Sequence, residues 1–280
     1  MSVTSYQTEL DQIVAAAAED LKAARRAMRR LAPTLPETAV VQTALGMAYL
    51  ALDQPRDAMR AFKRAIELDP KDPVPRYRLG AMQSDAGLLP QAEANLKQAL
   101  AAEPDNHEYL AALGFTYYRA NKTEPAIETL EKAVAAGSED PEVFASLGYL
   151  YYFADRLQDS HRAFSRVIEL DPEYAEVHNN RGYLNILLGD LEQAQADLAR
   201  CLELDEDYLR ARYNQALATW LQGEHDEALK LYEQARRKDK ADAELKQHLE
   251  DFDQVQEHTG DATVADLKIK LAVAQKVRRH

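Results

Sequence analysis

Apolar residues recur at three- and four-residue spacing along this chain, and the helical stripes they predict come in pairs. From Ala39 onward one pattern returns every 34 residues. Its first copy is marked by Leu45-Gly46, Tyr49, Ala58, Phe62, Ala65 and Pro70, and its second by Leu79-Gly80, Ala92, Leu96, Ala99 and Pro104. The third carries Leu113-Gly114, Tyr117, Ala126, Leu130 and Ala133; the fourth carries Leu147-Gly148, Tyr151, Ser160, Phe164, Val167 and Pro172. The fifth keeps Gly182, Ala194, Leu198 and Cys201, and the sixth keeps Ala228, Tyr232 and Ala235. Sustained period-2 alternation is absent, as are Asn-Gly and Asp-Gly hairpin dipeptides. The chain is predicted to be all-α.

Two columns give the period physical content. Gly46, Gly80, Gly114, Gly148 and Gly182 share position 8 of the repeat, inside a helical pattern. Each costs about 1 kcal/mol against alanine there. A cost of that size in every copy implies close packing of the first helix (A) on the second (B), with the small residues at position 20 (Ala58, Ala92, Ala126, Ser160, Ala194, Ala228) expected to face the glycine. Position 15 reads Asp53, Gly87, Asn121, Asp155, Gly189 and Gly223, all residue types that tolerate a left-handed turn between the helices. Pro70, Pro104 and Pro172 then stop helix B.

This pattern resembles the tetratricopeptide repeat (TPR) family, a helix–turn–helix unit that stacks. The resemblance implies a right-handed α-solenoid of six repeats over 39–242 (39–72, 73–106, 107–140, 141–174, 175–208 and 209–242). Residues 1–38 are expected to form an N-terminal helical cap and 243–280 C-terminal capping helices. Within the first cap, residues 5–31 read as one amphipathic helix or a helical pair, with Thr4 and Gln7 as a capping box. Ala241–His258 reads as one further helix and Val264–Val277 as the last, with Leu267, Leu271, Ala274 and Val277 along one stripe.

Composition narrows the function. The net charge is −13. Residues 1–38 balance, and 261–280 carry +3, which leaves −16 on residues 39–260. Such a body repels the nucleic-acid backbone, so no nucleic-acid partner is expected. The single cysteine, Cys201, falls where other repeats place alanine or valine and reads as a small buried hydrophobe. No segment is apolar for long enough to span a membrane, and the early run Ile13–Ala18 follows acids rather than a basic segment, so a cytoplasmic location is expected.

No dinucleotide, P-loop, metalloprotease or nucleophile-elbow motif is present, and no two histidines stand at helical i, i+4 spacing. Neither an enzymatic activity nor a cofactor or metal is expected. The informative residues are those that the TPR resemblance places on the concave face of helix A. These include Tyr77, Phe115, Tyr118, Tyr149, Tyr152, Tyr183, Tyr213 and Trp220, beside a polar cluster of Asn179, Asn180, Arg181, Arg210 and Asn214. Asn180 and Asn214 share position 6 and resemble two rungs of the asparagine ladder of the O-linked GlcNAc transferase superhelix, where amides hold an extended peptide backbone. The carboxylate clamp of chaperone-binding TPR proteins fits less well: Asn180 and Arg210 match, whereas Ala145, Tyr149 and Asn214 depart from it. The expected function is a non-catalytic scaffold that binds an extended peptide segment of a partner protein. The alternative is a self-assembling structural scaffold, a homo-oligomer whose N-terminal helix docks in a neighbouring copy.

Overall fold

The computed structural model describes residues 3–239 and 242–278, with side chains for 6–239 and 242–272. These residues form helices and turns, with no strand among them. They fall into two compact units, one ending at Ser138 and the other beginning at Glu139.

The first unit opens with α1 (Val3–Ala16) and α2 (Leu21–Leu31), followed by a 3-10 turn, Ala32–Thr34. Three helix pairs follow: α3 (Ala39–Ala51) with α4 (Pro55–Leu68), α5 (Pro73–Asp85) with α6 (Leu89–Ala102), and α7 (His107–Arg119) with α8 (Thr123–Ala135). The second unit repeats the arrangement. In it α9 (Pro141–Phe153) pairs with α10 (Leu157–Leu170), α11 (Ala175–Leu187) with α12 (Leu191–Leu204), and α13 (Leu209–Leu221) with α14 (His225–Lys238). It closes with α15 (Ala243–Glu250), α16 (Phe252–Thr259) and α17 (Thr263–Arg278). Within each unit the B helix of one pair packs on the A helix of the next, as α4 does on α5 and α12 on α13.

The helices start and stop for local reasons that recur with the period. Thr38, Asp72, Asn106 and Asp140 stand one repeat apart, and each caps the helix after it by accepting a backbone N–H. All six residues at position 15 take a positive φ, from 52° at Asp53 to 87° at Gly223, as the turn requires. Pro70, Pro104 and Pro172 each lie two residues beyond the end of a B helix.

The position-8 glycines are explained by a different neighbour from the one expected. A Cβ on Gly114 would lie 2.5 Å from Leu130 Cδ2, and one on Gly148 would lie 2.6 Å from Phe164 Cε1. The large residue at position 24 therefore fills the space left by the glycine. The small residues at position 20 are buried, and Ser160 Oγ donates to Gly148 O at 2.7 Å, but they are not the side chains that demand glycine.

The N-terminal end takes the second of its two expected forms, and the C-terminal end departs from the expected helices in part. The N-terminal segment is a pair broken at Ala17–Asp20, where Asp20 Oδ1 accepts from Ala23 N at 2.8 Å to start α2. Helix α1 begins at Val3, ahead of the expected cap at Thr4, whose side chain lies outside those described. Ala241 also lies outside the described residues, and the segment after it is two helices instead of one. Asp251 stands between α15 and α16, and α16 packs against α11. Helix α17 matches the expected last helix, with Leu267 and Leu271 buried; the side chains of Ala274 and Val277 lie outside those described.

Candidate functional site

In the first unit the helix-A face is partly open. Val40 is 62% exposed, and Met47, Val74 and Tyr118 are each 37% exposed. Phe115 and Tyr77 are half-buried. The Tyr77 ring lies 4.6 Å from that of Tyr109, whose phenol is pushed up to about 12 by burial. Arg78, next along α5, stacks its guanidinium 4.9 Å from the Tyr77 centroid, a cation–π distance. Its Nε is buried without a hydrogen-bond partner, and the side chain has no ion pair among the described residues. Ala44 and Ala112 hold the same repeat position on α3 and α7, so the neighbours of Arg78 in that column are small. A half-buried aromatic ring thus lies against a guanidinium that has no ion pair among the described residues.

In the second unit positions 9 and 12 of helix A are covered by the chain itself, whereas Glu142 and Arg210 at position 2 are exposed and Phe153, at position 13 of α9, is 72% exposed. Tyr152 Oη donates to Gln254 Oε1 at 2.7 Å, and Tyr183 Oη donates to the same oxygen at 3.3 Å. Trp220 Nε1 donates to Thr263 Oγ1 at 2.9 Å, with the His225 ring stacked 4.0 Å from the indole and Lys270 Nζ 6.0 Å from its centroid. Tyr213 is sealed, donating to Asp239 Oδ2 at 3.1 Å and stacking on His248 at 5.5 Å. Burial raises the phenols of Tyr152, Tyr183 and Tyr213 above their ordinary value. Phe252, Val255, Val264, Leu267 and Leu271 supply the apolar side of the cover. The expectation that Tyr213 and Trp220 stand on a wet groove is therefore corrected. Sequence position identifies the face but not what lies on it, and here α15–α17 lie on it.

The asparagine ladder is corrected for a related reason. Asn214 and Asn179 are buried, and their amides are satisfied within the protein. Asn214 Nδ2 donates to Asn179 Oδ1 at 3.0 Å, Asn179 Nδ2 to Asn180 Oδ1 at 3.3 Å, and Asn180 Nδ2 to Tyr149 Oη at 2.8 Å. Tyr149 Oη donates onward to Glu176 Oε1 at 2.6 Å, and its phenol is raised by burial first and by Glu176 second. The series is one internal network joining α9, α11 and α13. Arg210 is exposed at the edge of an acidic recess of 400 Å³ lined by Glu176, Asp205, Asp207 and Glu244, with its Nε 3.6 Å from Glu244 Oε2.

Arg181, which replaces the leucine expected at position 7, is a structural ion-pair former. Its Nε and Nη2 bind Asp197 Oδ2 and Oδ1 at 2.8 and 2.6 Å, and Asn185 Nδ2 donates to the same carboxylate at 3.0 Å. Cys201 is buried, and desolvation pushes its thiol up to about 11, which makes it a poor nucleophile. Among the described residues no group of three His, Cys, Asp or Glu side chains is placed to hold a metal ion, and no helix is long and apolar enough to cross a membrane. Arg78 and Gln254 are the residues that sequence reasoning passed over. The first carried a usable signal, a lone basic residue in the position-6 column. The second carried none.

Comparison with known proteins agrees with this geometry. Tetratricopeptide repeat models match residues 49–111, 83–150, 163–196 and 187–243. No curated protein matches the chain. Among solved structures, YrrB, a TPR protein with an unusual peptide-binding site, is 21% identical with a TM-score of 0.61, over 76% of this chain and 99% of YrrB. MamA is 26% identical with a TM-score of 0.57, over 62% of this chain and 95% of MamA. PilF of Pseudomonas aeruginosa is 16% identical with a TM-score of 0.63, over 76% of this chain and 98% of PilF. YrrB and PilF support the fold alone. With repeat models along both units and paired helices recurring in the same register, the chain belongs to the tetratricopeptide repeat family.

Proposed function

We propose that this chain is a non-catalytic protein-interaction scaffold whose ligand is an extended peptide segment lying on the helix-A face of α3, α5 and α7. The observation that carries the reading is the unequal covering of one repeated surface. In the second unit the helix-A positions accept a polypeptide, the chain's own C-terminal helices, through Tyr152, Tyr183 and Trp220. In the first unit Met47 and Tyr118 remain exposed at the corresponding positions 9 and 12, with Val40 and Val74 exposed on the same face. Exposed apolar surface beside polar groups is the usual mark of a contact site.

The chemistry of that surface defines the ligand. Tyr77, Phe115 and Tyr118 offer rings against which aliphatic side chains pack, and aromatic anchors dominate binding energy at interfaces. Arg78 supplies a cation that needs an acceptor. A ligand side-chain carboxylate or C-terminus would make a charge-assisted hydrogen bond with it. YrrB shows that this fold can carry a peptide-binding site.

A displayed random-peptide library selected on the wild type beside a Tyr77→Ala, Tyr118→Ala variant of equal helicity tests the reading. Enrichment of acidic, aliphatic sequences on the wild type alone supports it. Equal enrichment on both proteins, or none on either, contradicts it.

A further inference from the structure

The N-terminal pair keeps the phase of the repeats without their glycine. Helix α2 starts at Leu21, one repeat length before α4 starts at Pro55. Ala24 and Met28 stand at the places of Ala58 and Phe62 and, like them, are 2% exposed or less. The place of Gly46 is taken by Gln12. In all five glycine-bearing repeats a Cβ there would come within 2.8 Å of the facing B-helix side chain. Gln12 is exposed, and α1 and α2 pack less closely than the other pairs do. Between them runs a cleft of 610 Å³ with Ile13, Ala16, Ala24 and Ala27 on its walls, Glu9 on the α1 edge and Arg30 on the α2 edge.

Helix α2 has no acidic residue. Arg25 is engaged, donating to Leu52 O at 2.8 Å and pairing with Asp53 at 3.0 Å. Lys22, Arg26, Arg29 and Arg30 are exposed and have no ion-pair partner among the described residues. Like charges at such spacing on one helix repel. Of these Arg30 lines the cleft and Arg26 stands one helical turn before it, so the α2 edge matches an amphipathic helix that presents its apolar face to the walls and carboxylates to that edge.

We propose that the α1–α2 cleft docks an acidic amphipathic helix of a partner protein. The facing stretch, Glu9 to Ala16, is about two helical turns long, which sets the minimum footprint. The site is separate from the helix-A face, and either can fail without the other.

Fluorescence anisotropy with two dye-labelled probes tests the proposal on the full chain. One probe is a helical peptide of about four turns with leucines at i, i+3, i+4 and i+7 and glutamates flanking them; its twin carries lysines instead. The acidic probe is expected to bind saturably, at least about tenfold tighter than the basic twin. Arg26→Gln with Arg30→Gln, both at the surface, is expected to weaken it about tenfold or more. Ala27→Trp, which fills the cleft, is expected to abolish binding, with circular dichroism reporting the fold; should that variant unfold, the arginine pair decides. Equal binding of the two peptides, or none, overturns the proposal. So does sedimentation with phosphatidylserine vesicles that the arginine pair abolishes and Ala27→Trp leaves intact, since the cations would then serve a membrane surface.

Discussion

Tyr152 Oη donates to Gln254 Oε1 at 2.7 Å, across 102 positions of sequence. With the Tyr183 contact to the same oxygen, it pins α16 to the helix-A face of the second unit. Positions 9 and 12 of helix A are thereby covered in the second unit, whereas Met47 and Tyr118 at those positions are exposed in the first.

Trp220 reports on that cover, because it is the only tryptophan in the protein and is 3% exposed. Ending the chain at Gly260 removes Thr263, Val264, Leu267 and Leu271 together. The emission of Trp220 is expected to shift to the red and become open to acrylamide quenching. Thr263→Val, which strands the indole N–H and removes the hydroxyl's bond to Asp261 Oδ1, is expected to cost about 1–3 kcal/mol without the shift.

The glycine column has a direct test. Gly114→Ala places a Cβ 2.5 Å from Leu130 Cδ2 and 2.6 Å from its Cγ. Overpacking of this kind costs about 1–3 kcal/mol. Thermal melting of Gly114→Ala is expected to show that loss, and combining it with Leu130→Ala is expected to recover less than Leu130→Ala alone loses, because a cavity opens as the clash closes.

Arg181 and Asp197 form a bidentate pair in which the aspartate side chain is only 6% exposed. Arg181→Leu restores the usual residue type yet strands that carboxylate. The single change is expected to destabilise by about 3–5 kcal/mol, and adding Asp197→Ala is expected to return much of the loss. A double-mutant cycle followed by urea denaturation measures the coupling.

His248 sets a pH dependence. It is buried between Tyr213, Tyr232 and Phe252, with Nε2 2.9 Å from Tyr232 Oη, and burial lowers its pKa from 6.5 to about 3. The unfolded chain therefore binds a proton below pH 6.5 that the folded chain refuses until about pH 3. The contribution is complete above pH 6.5 and falls as pH drops through that window, at up to about 1.4 kcal/mol per pH unit. His248→Gln is expected to flatten the fall in melting temperature between pH 6.5 and 4.5.

Legibility followed the range of the interactions. The turn column at position 15 was readable because a left-handed residue announces itself locally, and Asp53, Asn121 and Asp155 take that conformation without being glycine. The helix-A face was readable as a face because 34-residue spacing fixes orientation. Its covering was not, because Gln254 and Thr263 lie outside the repeat pattern and reach Tyr152 and Trp220 only after the chain bends at Asp251. Asn180 and Asn214 looked like binding amides because their column position was correct. That Asn179 would satisfy Asn214 depends on the packing of α11 on α13, which no single-sequence signal carries.

The central claim, that the helix-A face is open to a ligand in the first unit and self-covered in the second, is tested most directly by a photo-crosslinking amino acid placed at Tyr118 in one variant and at Tyr183 in another, irradiated in cells of the source organism. The account predicts that the probe at 118 yields adducts with another polypeptide, lost on Arg78→Ala, whereas the probe at 183 yields only a link within the chain, to the α16 segment around Gln254. Adducts with another protein at 183, or none at 118, would contradict it.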